Sequence, residues 1–366
     1  MNKYKKFLIT VNISILFYLG LIALFNYKVD SAGIFHSTNV MQQAAKEIIN
    51  GKIVAGLGDE AFDDRAFQIS LIKLLKHRVT IIATGSSRTK ELRKNYLQNG
   101  KYSFYNHAVN GANLEDYIAI LGAYKKFHNY FPKEVILGVD PWILNRNNGR
   151  IRWKNIQNYH MYANQILTQS DNSSYDKISF FQKYKELVNY NYTIANIDHI
   201  LTKIKRGKPY YIVKDLNVND FLREPDASIH YPYETRFPNL KEVHLKALQY
   251  TKGSVYGLEN FDYSNKKEKL QQLIQALQND GVNITLFLAP YHPITYDILS
   301  KIPKYHIKEI ENYFHEFAEK NQLKIVGSYN PYKLNLSEKD FFDGMHCNDQ
   351  AIKQIFNSWN PSSSSL

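Results

Sequence analysis

A serine and a histidine–aspartate pair, far apart in the chain, have the residue types that nucleophilic catalysis needs. Ser87 lies in the run Ala83-Thr84-Gly85-Ser86-Ser87-Arg88, directly after an apolar stretch that predicts a strand. A serine on a tight turn from strand to helix has an exposed hydroxyl, with backbone N–H groups nearby to receive an oxyanion. Asp343 and His346 lie three residues apart, so the carboxylate can orient the imidazole. Together they predict a Ser-His-Asp triad, although Ser87 alone could simply cap the following helix.

The apolar pattern of the chain alternates between strand and helix periods, which predicts an α/β fold. We expect three layers, α/β/α, around a central parallel sheet. Strands are predicted over residues 79–84, 103–109, 135–139, 283–288 and 323–326, and helices over 89–97, 114–130, 267–278, 307–321 and 349–359. In such sheets reactive groups gather at the C-terminal ends of the strands. Ser87, Gly111, Asp140 and His292 all follow predicted strands at that edge.

The N-terminal segment FLITVNISILFYLGLIALF, residues 7–25, is about the length that crosses a bilayer as a helix. Lys3, Lys5 and Lys6 precede it, so the positive-inside rule predicts a cytoplasmic N-terminus and an extracytoplasmic main domain. A cleaved signal peptide is the alternative, although its apolar region is normally shorter and no Ala-x-Ala site follows. We therefore expect an uncleaved single-pass anchor in a bacterial cell membrane, in contact with lipid over residues 7–27.

The remaining pattern divides the chain into segments around this anchor and the predicted core. They are a cytoplasmic tail (1–6), the anchor (7–27), a helical connection (28–77), the first half of the core (78–144), a mostly helical insertion or cap (145–224), the second half of the core (225–360) and a disordered tail (361–366). Within the insertion, helices are predicted over 178–190 and 194–204 and a strand over 210–213.

The charge of the chain favours anionic partners. The formal net charge is +12, and the densest basic cluster is Lys203, Lys205, Arg206 and Lys208. No nucleic-acid-binding motif accompanies that cluster. Beside a membrane anchor, anionic lipid headgroups or phosphate-bearing envelope polymers suit it better than nucleic acid, although for the cluster alone a solvated helix end is the simpler interpretation. We expect an envelope polysaccharide or anionic polymer as partner, and no nucleic acid.

Four short blocks resemble the SGNH (GDSL-like) hydrolase superfamily in their order, spacing and strand context. Gly85-Ser86-Ser87 stands where that family has Gly-Asp-Ser, and residues 106–111 (Asn-His-Ala-Val-Asn-Gly) resemble its second block. Gly138-Val139-Asp140 stands at the Gly-x-Asn block, and Asp343-Gly344-Met345-His346 matches the Asp-x-x-His block. The resemblance covers roughly residues 80–359, apart from the insertion. It implies an SGNH-hydrolase, flavodoxin-like fold and a serine esterase or O-acyltransferase without a metal or other cofactor.

The resemblance also implies a role for each matching residue. Ser87 is the nucleophile, His346 the general base and Asp343 the residue that orients His346. The backbone N–H groups of Ser87 and Gly111 would form the oxyanion hole, with Asp140 at the position of the family's third donor. Beyond the blocks, His292, Trp142 and Arg88 are candidates for substrate contact; a loop histidine and a packed core tryptophan are the simpler interpretations of the first two.

Two positions depart from the family pattern. Ser86 replaces the usual aspartate before the nucleophile, and Asp140 replaces the asparagine donor. An ionised carboxylate would repel a developing oxyanion rather than stabilise it. Asp140 is therefore not the third donor, or it is protonated, or it has another task such as holding Arg88.

The anchor, the predicted extracytoplasmic domain and the terminal Asp-x-x-His block resemble the membrane-anchored branches that modify envelope polymers. These are the DltD-like branch of teichoic-acid D-alanylation and the branch of polysaccharide O-acetylation. The resemblance implies transfer or hydrolysis of an O-acyl group, in particular acetyl, beside a multi-pass membrane-bound O-acyltransferase. A non-catalytic envelope protein that binds polymer or scaffolds such a complex is the alternative, and a lipase-like enzyme is a third.

Overall fold

A five-stranded parallel sheet forms the centre of the structure, a computed structural model that describes residues 3–31, 35, 39–57, 63–97, 102–168, 183–206, 210–253 and 255–362. The strands are β1 Ile53–Ala55, β2 Ile81–Thr84, β3 Phe104–Asn106, β4 Glu134–Gly138, β5 Tyr211–Val213, β6 Leu222–Arg223, β7 Ile229–His230, β8 Asn283–Leu288 and β9 Lys324–Gly327. The helices are α1 Lys3–Val29, α2 Asn39–Ile49, α3 Asp64–Leu74, α4 Leu114–His128, α5 Gln157–Thr168, α6 Tyr190–Arg206, α7 Tyr233–Arg236, α8 Leu240–Tyr250, α9 Lys266–Asn279, α10 Pro293–Leu299, α11 Ile307–Lys320 and α12 Asp349–Phe356.

The parallel sheet has the strand order β3-β2-β4-β8-β9. All its pairs are parallel, with Ile81 of β2 opposite both Phe104 of β3 and Glu134 of β4. Counted along the chain the order is 2-1-3-4-5, so the direction of winding reverses between β2 and β4, which is where ligands bind in open α/β sheets. The predicted α/β fold with a parallel sheet is confirmed: the strand predicted over 283–288 is present with the same ends, and the other four are present with shifted ends.

The side chains of the central strands alternate between two buried clusters. Ile82 and Leu137 belong to one cluster, together with residues of α4, α9 and α11. Ile81 and Ile136 belong to the other, together with residues of α12. Because successive side chains of a strand point to opposite faces, both faces of the sheet are covered by apolar residues. This burial on both sides explains why the strands have continuous apolar sequences.

The helix predicted over residues 89–97 is wrong. Two short 3₁₀ turns, Ser87–Thr89 and Lys94–Tyr96, lie there instead. The side-chain amide of Asn106 donates to the carbonyl groups of Thr89, Lys90 and Leu92 at 2.9, 3.3 and 2.9 Å. Ile229 of β7 donates its N–H to the same Lys90 carbonyl at 2.9 Å. These carbonyl groups are therefore bonded to neighbouring segments, and the chain bends instead of continuing as a helix.

A second, antiparallel sheet joins the two segments that were predicted as helical. Its strand order is β5-β1-β6-β7, so β1 from residues 28–77 lies between two strands of residues 145–224. The strands β1, β6 and β7 are too short to show a period in the sequence, and β1 and β6 correct the interpretation of those segments as helical. Helices α2, α3, α5 and α6 make up much of the rest, while residues 178–182 of the predicted helix 178–190 lie outside the described residues and Lys183–Val188 is a 3₁₀ helix.

Helix α5 of the insertion packs directly on core helix α4. The contact is close at Gly122, where a Cβ atom would collide with the Tyr159 carbonyl oxygen and lie 2.7 Å from Ala163 Cβ. The insertion is thus attached to the helix that follows the loop carrying Gly111.

The N-terminal helix α1 is long and apolar enough to cross a membrane, judged by length and composition. None of its apolar window is buried within the protein, which distinguishes it from a core helix.

Candidate active site

Three residues from opposite ends of the chain form a continuous hydrogen-bonded array at the C-terminal edge of the parallel sheet. Ser87 Oγ lies 2.8 Å from His346 Nε2. His346 Nδ1 lies 2.9 Å from Asp343 Oδ2 and 3.1 Å from Oδ1. Ser87 follows β2, whereas the other two residues lie between β9 and α12, with His346 259 positions away in sequence from Ser87. The distances are those at which a base can accept a hydroxyl proton while a carboxylate holds its ring.

The Asp343 carboxylate is fixed by the backbone of its own loop. Its Oδ1 atom accepts the N–H groups of Met345 at 2.8 Å and His346 at 2.9 Å. Burial would raise the pKa of Asp343, but the His346 ring and these backbone donors lower it to about 2. The carboxylate is therefore ionised at neutral pH and stabilises a protonated His346 ring. The Asp-x-x-His spacing makes this possible, since a tight turn returns the imidazole to the carboxylate.

The turn after β2 leaves the Ser87 hydroxyl available for chemistry. Ser86, not Ser87, caps the 3₁₀ turn, because Ser86 Oγ accepts the Arg88 N–H at 3.2 Å. The simpler interpretation of Ser87 as a helix cap is thus wrong. Gly85 allows the ends of β2 and β4 to approach, since a Cβ atom there would collide with the Thr89 hydroxyl and lie 3.1 Å from Gly138 Cα.

The loop after β3 runs beside this turn. His107 and Val109 donate their N–H groups to the carbonyls of Ala83 (2.7 Å) and Gly85 (2.9 Å). Gly111 follows with φ +57°, a conformation that favours glycine, and a Cβ atom there would collide with the Tyr256 hydroxyl. Within the described part of the chain, no protein acceptor receives the N–H groups of Ser87 and Gly111. Both remain available to an oxyanion.

Comparison with known proteins adds no family to this geometry. No protein-family model matches the sequence, and no curated protein matches it. The resemblance to the SGNH superfamily therefore depends on the four sequence blocks and on the positions of their residues described here.

Arg88, a candidate for substrate contact, lies in the interior among the loops of the site. Its side chain is completely buried and pairs with Asp140, with Nη1 2.8 Å from Oδ1. Its Nε atom donates to the Met345 carbonyl at 2.9 Å, and Nη2 donates to the Ala289 carbonyl at 2.5 Å. The guanidinium also lies 4.1 Å from the centre of the Tyr291 ring. One buried cation thus joins the loops after β2, β4 and β8 to the loop that carries His346.

The same pair identifies the role of Asp140. Burial raises the pKa of its carboxyl group, and the adjacent Arg88 guanidinium opposes that rise. Burial also disfavours the charged form of Arg88, but Asp140 and nearby groups hold its pKa above the usual value. Of the three alternatives for Asp140, the structure shows the one in which it holds Arg88.

Trp142 and His292 are buried as well, so neither presents its ring to solvent. Trp142 donates its indole N–H to the Ala112 carbonyl at 2.8 Å, which fixes the residue after Gly111. His292 Nδ1 accepts the Ile294 N–H at 3.2 Å and caps α10. The His292 backbone N–H donates to the Gly344 carbonyl at 3.2 Å. Both residues position loops of the site, and burial favours the simpler interpretations, a packed core tryptophan and a structural loop histidine.

A cavity of about 440 Å³, which the sequence did not indicate, shares walls with these loops. Its lining residues are mostly polar or aromatic: Asn147, Asn148, Arg150, Gln249, Tyr250, Lys252, Val255, Tyr256, Gly257 and Glu259. Tyr256 packs against Gly111, and Tyr250 packs against Gly344, where a Cβ atom would lie 2.7 Å from Tyr250 Cβ. The Arg150 guanidinium lies 3.4 Å from the centre of the Tyr256 ring.

The remaining chemistry-bearing candidate is a buried thiol. Cys347 is 5% exposed, and burial raises the pKa of its thiol to about 12. A thiol that stays protonated is a poor nucleophile. Among the residues that the structure describes, no cluster of three His, Cys, Asp or Glu side chains stands where it could hold a metal ion.

Proposed function

We propose that this chain is a membrane-anchored serine O-acyltransferase or esterase of the SGNH type. Its substrates would be O-acyl groups, in particular acetyl groups, of a cell-envelope polysaccharide or teichoic-acid-like polymer. The observation that carries the proposal is the array Ser87–His346–Asp343, with 2.8 and 2.9 Å between the successive polar atoms. The N–H groups of Ser87 and of Gly111, on the loop bonded to the Ser87 turn, would complete the minimum set for acyl transfer.

The mechanism has two steps. His346 Nε2 removes the Ser87 hydroxyl proton as Oγ attacks an ester or thioester carbonyl, and the N–H groups of Ser87 and Gly111 bind the resulting oxyanion. The intermediate collapses as the leaving group takes the proton from His346, which gives an acyl-serine. A second hydroxyl compound then transfers its proton to His346 and attacks the acyl-serine, which releases Ser87. Water as that compound gives an esterase, and a sugar or polyol hydroxyl gives a transferase.

The strand order supports the finer assignment of the fold. An order of 2-1-3-4-5 with apolar cover on both faces is typical of doubly wound, flavodoxin-like sheets. We infer three layers, α/β/α, and an SGNH-like core with the second antiparallel sheet attached to it.

The cavity beside Gly111 and Gly344 suits the second substrate. Amide, phenol and charged side chains can bind hydroxyl groups, and Tyr250 adds an aromatic ring to the lining. Arg150 and Lys252 would favour an acceptor that carries phosphate or carboxylate groups. This lining therefore fits a hydrophilic acyl acceptor better than a lipid chain, which argues against the lipase-like alternative.

The location of the protein follows from α1. A single apolar helix with lysines before it would anchor the domain outside the cytoplasmic membrane of a bacterium. A multi-pass membrane-bound O-acyltransferase that delivers acyl groups across that membrane is the partner we infer for this arrangement.

One observation favours a second candidate function, a non-catalytic scaffold or polymer-binding protein. Asp140 is committed to Arg88 and carries no donor for an oxyanion, so the third donor of the family pattern is missing. Loss of one such donor costs on the order of 10²–10³ in rate. A chain that has lost this donor could retain the fold and its polymer-binding cavity without useful turnover.

Labelling with a serine-directed fluorophosphonate separates the two candidates. We expect the full-length protein in detergent to be labelled stoichiometrically and the Ser87→Ala variant to be unlabelled. Ser264→Ala, at an exposed serine that bonds to Asp262, is the matched control and should label as the unsubstituted protein does. Turnover of p-nitrophenyl acetate should follow the labelling. Wild-type turnover in the Ser87→Ala variant would refute the catalytic proposal.

A further inference from the structure

Helix α6 exposes an apolar stripe along one side. Tyr190, Ile194, Ile197 and Leu201 are 76%, 40%, 41% and 53% exposed. With 3.6 residues per turn, these four positions fall within an arc of about 60°. On the opposite side Tyr192 and Asn196 are buried. The apolar face of α6 is therefore turned away from the protein. Such an exposed apolar face indicates a partner with an apolar surface.

Buried polar side chains attach α6 to the end of the apolar helix α1. Asn26 is completely buried, and its Nδ2 atom donates to the Thr193 hydroxyl and to the Leu187 carbonyl, both at 2.8 Å. Asn196 donates to Asn26 Oδ1 at 2.9 Å. Because these bonds are directional, they fix which side of α6 faces α1 and therefore the direction of the stripe.

Two further hydrogen bonds extend this attachment. The Tyr192 hydroxyl donates to Asp30 Oδ1 at 2.6 Å, and the Ser31 N–H donates to Asn196 Oδ1 at 2.8 Å. The interface thus lies over the last turn of α1 and the residues directly after it.

This attachment lies at the height of a membrane surface if α1 spans the bilayer. The apolar segment 7–25 has a helical length of about 28 Å, close to the thickness of the hydrocarbon core, and Asn26 follows it. Aromatic rings gather at the same level: Tyr27 lies 5.5 Å from Phe35, and Phe35 lies 5.9 Å from Tyr184, measured between ring centres. Such rings are enriched where hydrocarbon meets headgroups.

We propose that α6 lies at the outer surface of the membrane that α1 spans. Its apolar stripe would be inserted among the lipid acyl chains near the headgroups. This inference rests on the proposed anchoring role of α1. The occupant is lipid because the stripe belongs to an element hydrogen-bonded to a helix whose apolar surface is itself uncovered by protein. In the sequence, Leu201 is followed by the basic residues Lys203, Lys205, Arg206 and Lys208, a composition that favours anionic headgroups.

The consequence is a second membrane contact that restricts the tilt of the catalytic domain. A single helix lets a domain swivel about its anchor, whereas an interfacial helix held to that anchor by directional bonds adds a second point of attachment. The loops around Ser87 would then have a defined orientation toward the membrane and toward any acyl donor that resides in it.

Depth-dependent fluorescence quenching tests the inference on the full-length protein in vesicles of phosphatidylcholine and phosphatidylglycerol. Single cysteines carrying a fluorophore would be introduced as Ile197→Cys and Leu201→Cys on the stripe. Leu16→Cys, at a position 69% exposed on α1, reports on the anchor, and Lys353→Cys, on the exposed side of α12, reports on water. The native Cys347 is buried and its thiol pKa is raised, so it should not react, and the unsubstituted protein checks this.

We expect spin labels near the headgroups to quench both stripe positions more strongly than spin labels deep in the acyl chains. Deep labels should quench Leu16→Cys, and neither should quench Lys353→Cys. Stripe positions as unquenched as Lys353→Cys, with Leu16→Cys quenched, would overturn the interfacial helix while leaving the anchor intact. An unquenched Leu16→Cys would overturn the anchor and with it the present inference. Disulfide cross-links between two copies through Leu201→Cys would identify a second protein molecule, not lipid, as the occupant.

Discussion

Replacing Asp343 by asparagine tests the triad with little disturbance of the loop. Both backbone N–H groups that Asp343 accepts end on Oδ1, so an amide oxygen can take that position. The amide nitrogen then occupies the Oδ2 position, 2.9 Å from His346 Nδ1. An NH₂ group there is a donor, and it requires Nδ1 to be the acceptor.

The ring proton must then sit on Nε2, the atom that lies 2.8 Å from Ser87 Oγ. A protonated Nε2 cannot take the hydroxyl proton, so the base is in the wrong tautomer. In an enzyme whose triad works in this way, such a change lowers kcat by about 10⁴, which corresponds to about 5.5 kcal/mol of transition-state stabilisation. We expect a loss of that order for Asp343→Asn, with a KM within a few-fold of that of the unsubstituted protein.

Initial rates of p-nitrophenyl acetate hydrolysis measure this loss, with the Ser87→Ala protein as the baseline. Asp280→Asn, which removes an exposed carboxylate at the end of α9 that pairs with Lys125, is the control for a general change in charge. The melting temperature of Asp343→Asn should stay close to that of the control. An Asp343→Asn enzyme with activity within tenfold of the unsubstituted protein would refute the assigned role of Asp343, because the hydrogen bonds leave no other way to orient His346.

The remaining predictions concern buried charges. Arg88→Ala leaves Asp140 buried without its cation, which should lower the free energy of unfolding by about 3–5 kcal/mol. An Arg88→Ala/Asp140→Ala double variant should recover part of this loss, measured by chemical denaturation. Additive effects of the two substitutions would show that the pair is not coupled. Burial raises the pKa of Asp63 from 3.8 to about 7, against the opposing N–H of Ala66, so the folded protein binds this proton more tightly than the unfolded chain. The free energy of unfolding should therefore fall as pH rises from about 4 to 7. Asp63→Asn, which keeps an acceptor for the Ala66 N–H, should reduce this dependence on pH. An unchanged dependence in denaturation experiments at successive pH values would contradict the role of Asp63.

The sequence carried enough information for the strands and for the ends of the main core helices. Continuous apolar runs predict strands buried on both faces, and α4, α9 and α11 have apolar residues at helical spacing with polar residues between them. The same reasoning failed at residues 89–97. Helix-forming residues there are overridden by Asn106, whose amide takes three carbonyl groups of the segment. Such a tertiary contact leaves no periodic trace in the local sequence.

The second sheet could not be predicted for a related reason. Strands of two or three residues, such as β1 and β6, cannot display an alternating pattern, and their pairing joins segments separated by more than 150 residues. Of the strands in residues 145–224, the sequence therefore predicted only the one over 210–213, which corresponds to β5 Tyr211–Val213.

The three residues of the proposed triad could be selected from the sequence, whereas the roles of the residues that support them could not. Ser87, Asp343 and His346 stand in short local patterns whose chemistry is evident from residue type and spacing. Arg88, Trp142 and His292 follow strands β2, β4 and β8, and a residue beyond a strand end can face either the cleft or the core. Burial decides between these, and burial depends on loops that converge from distant parts of the chain.

Asp140 stands where the SGNH pattern has asparagine, and its ion pair with Arg88 gives it a structural role. Arg88 donates to the Met345 carbonyl, one residue before His346, and its position depends on Asp140. A neutral asparagine at position 140 could offer an oxyanion donor but would leave the buried guanidinium without a counter-charge. The Asp140 carboxylate therefore helps to hold the loop that carries His346, because it holds Arg88. If the chain has the proposed function, the backbone N–H groups of Ser87 and Gly111 must stabilise the oxyanion without this third donor, and turnover should be slow.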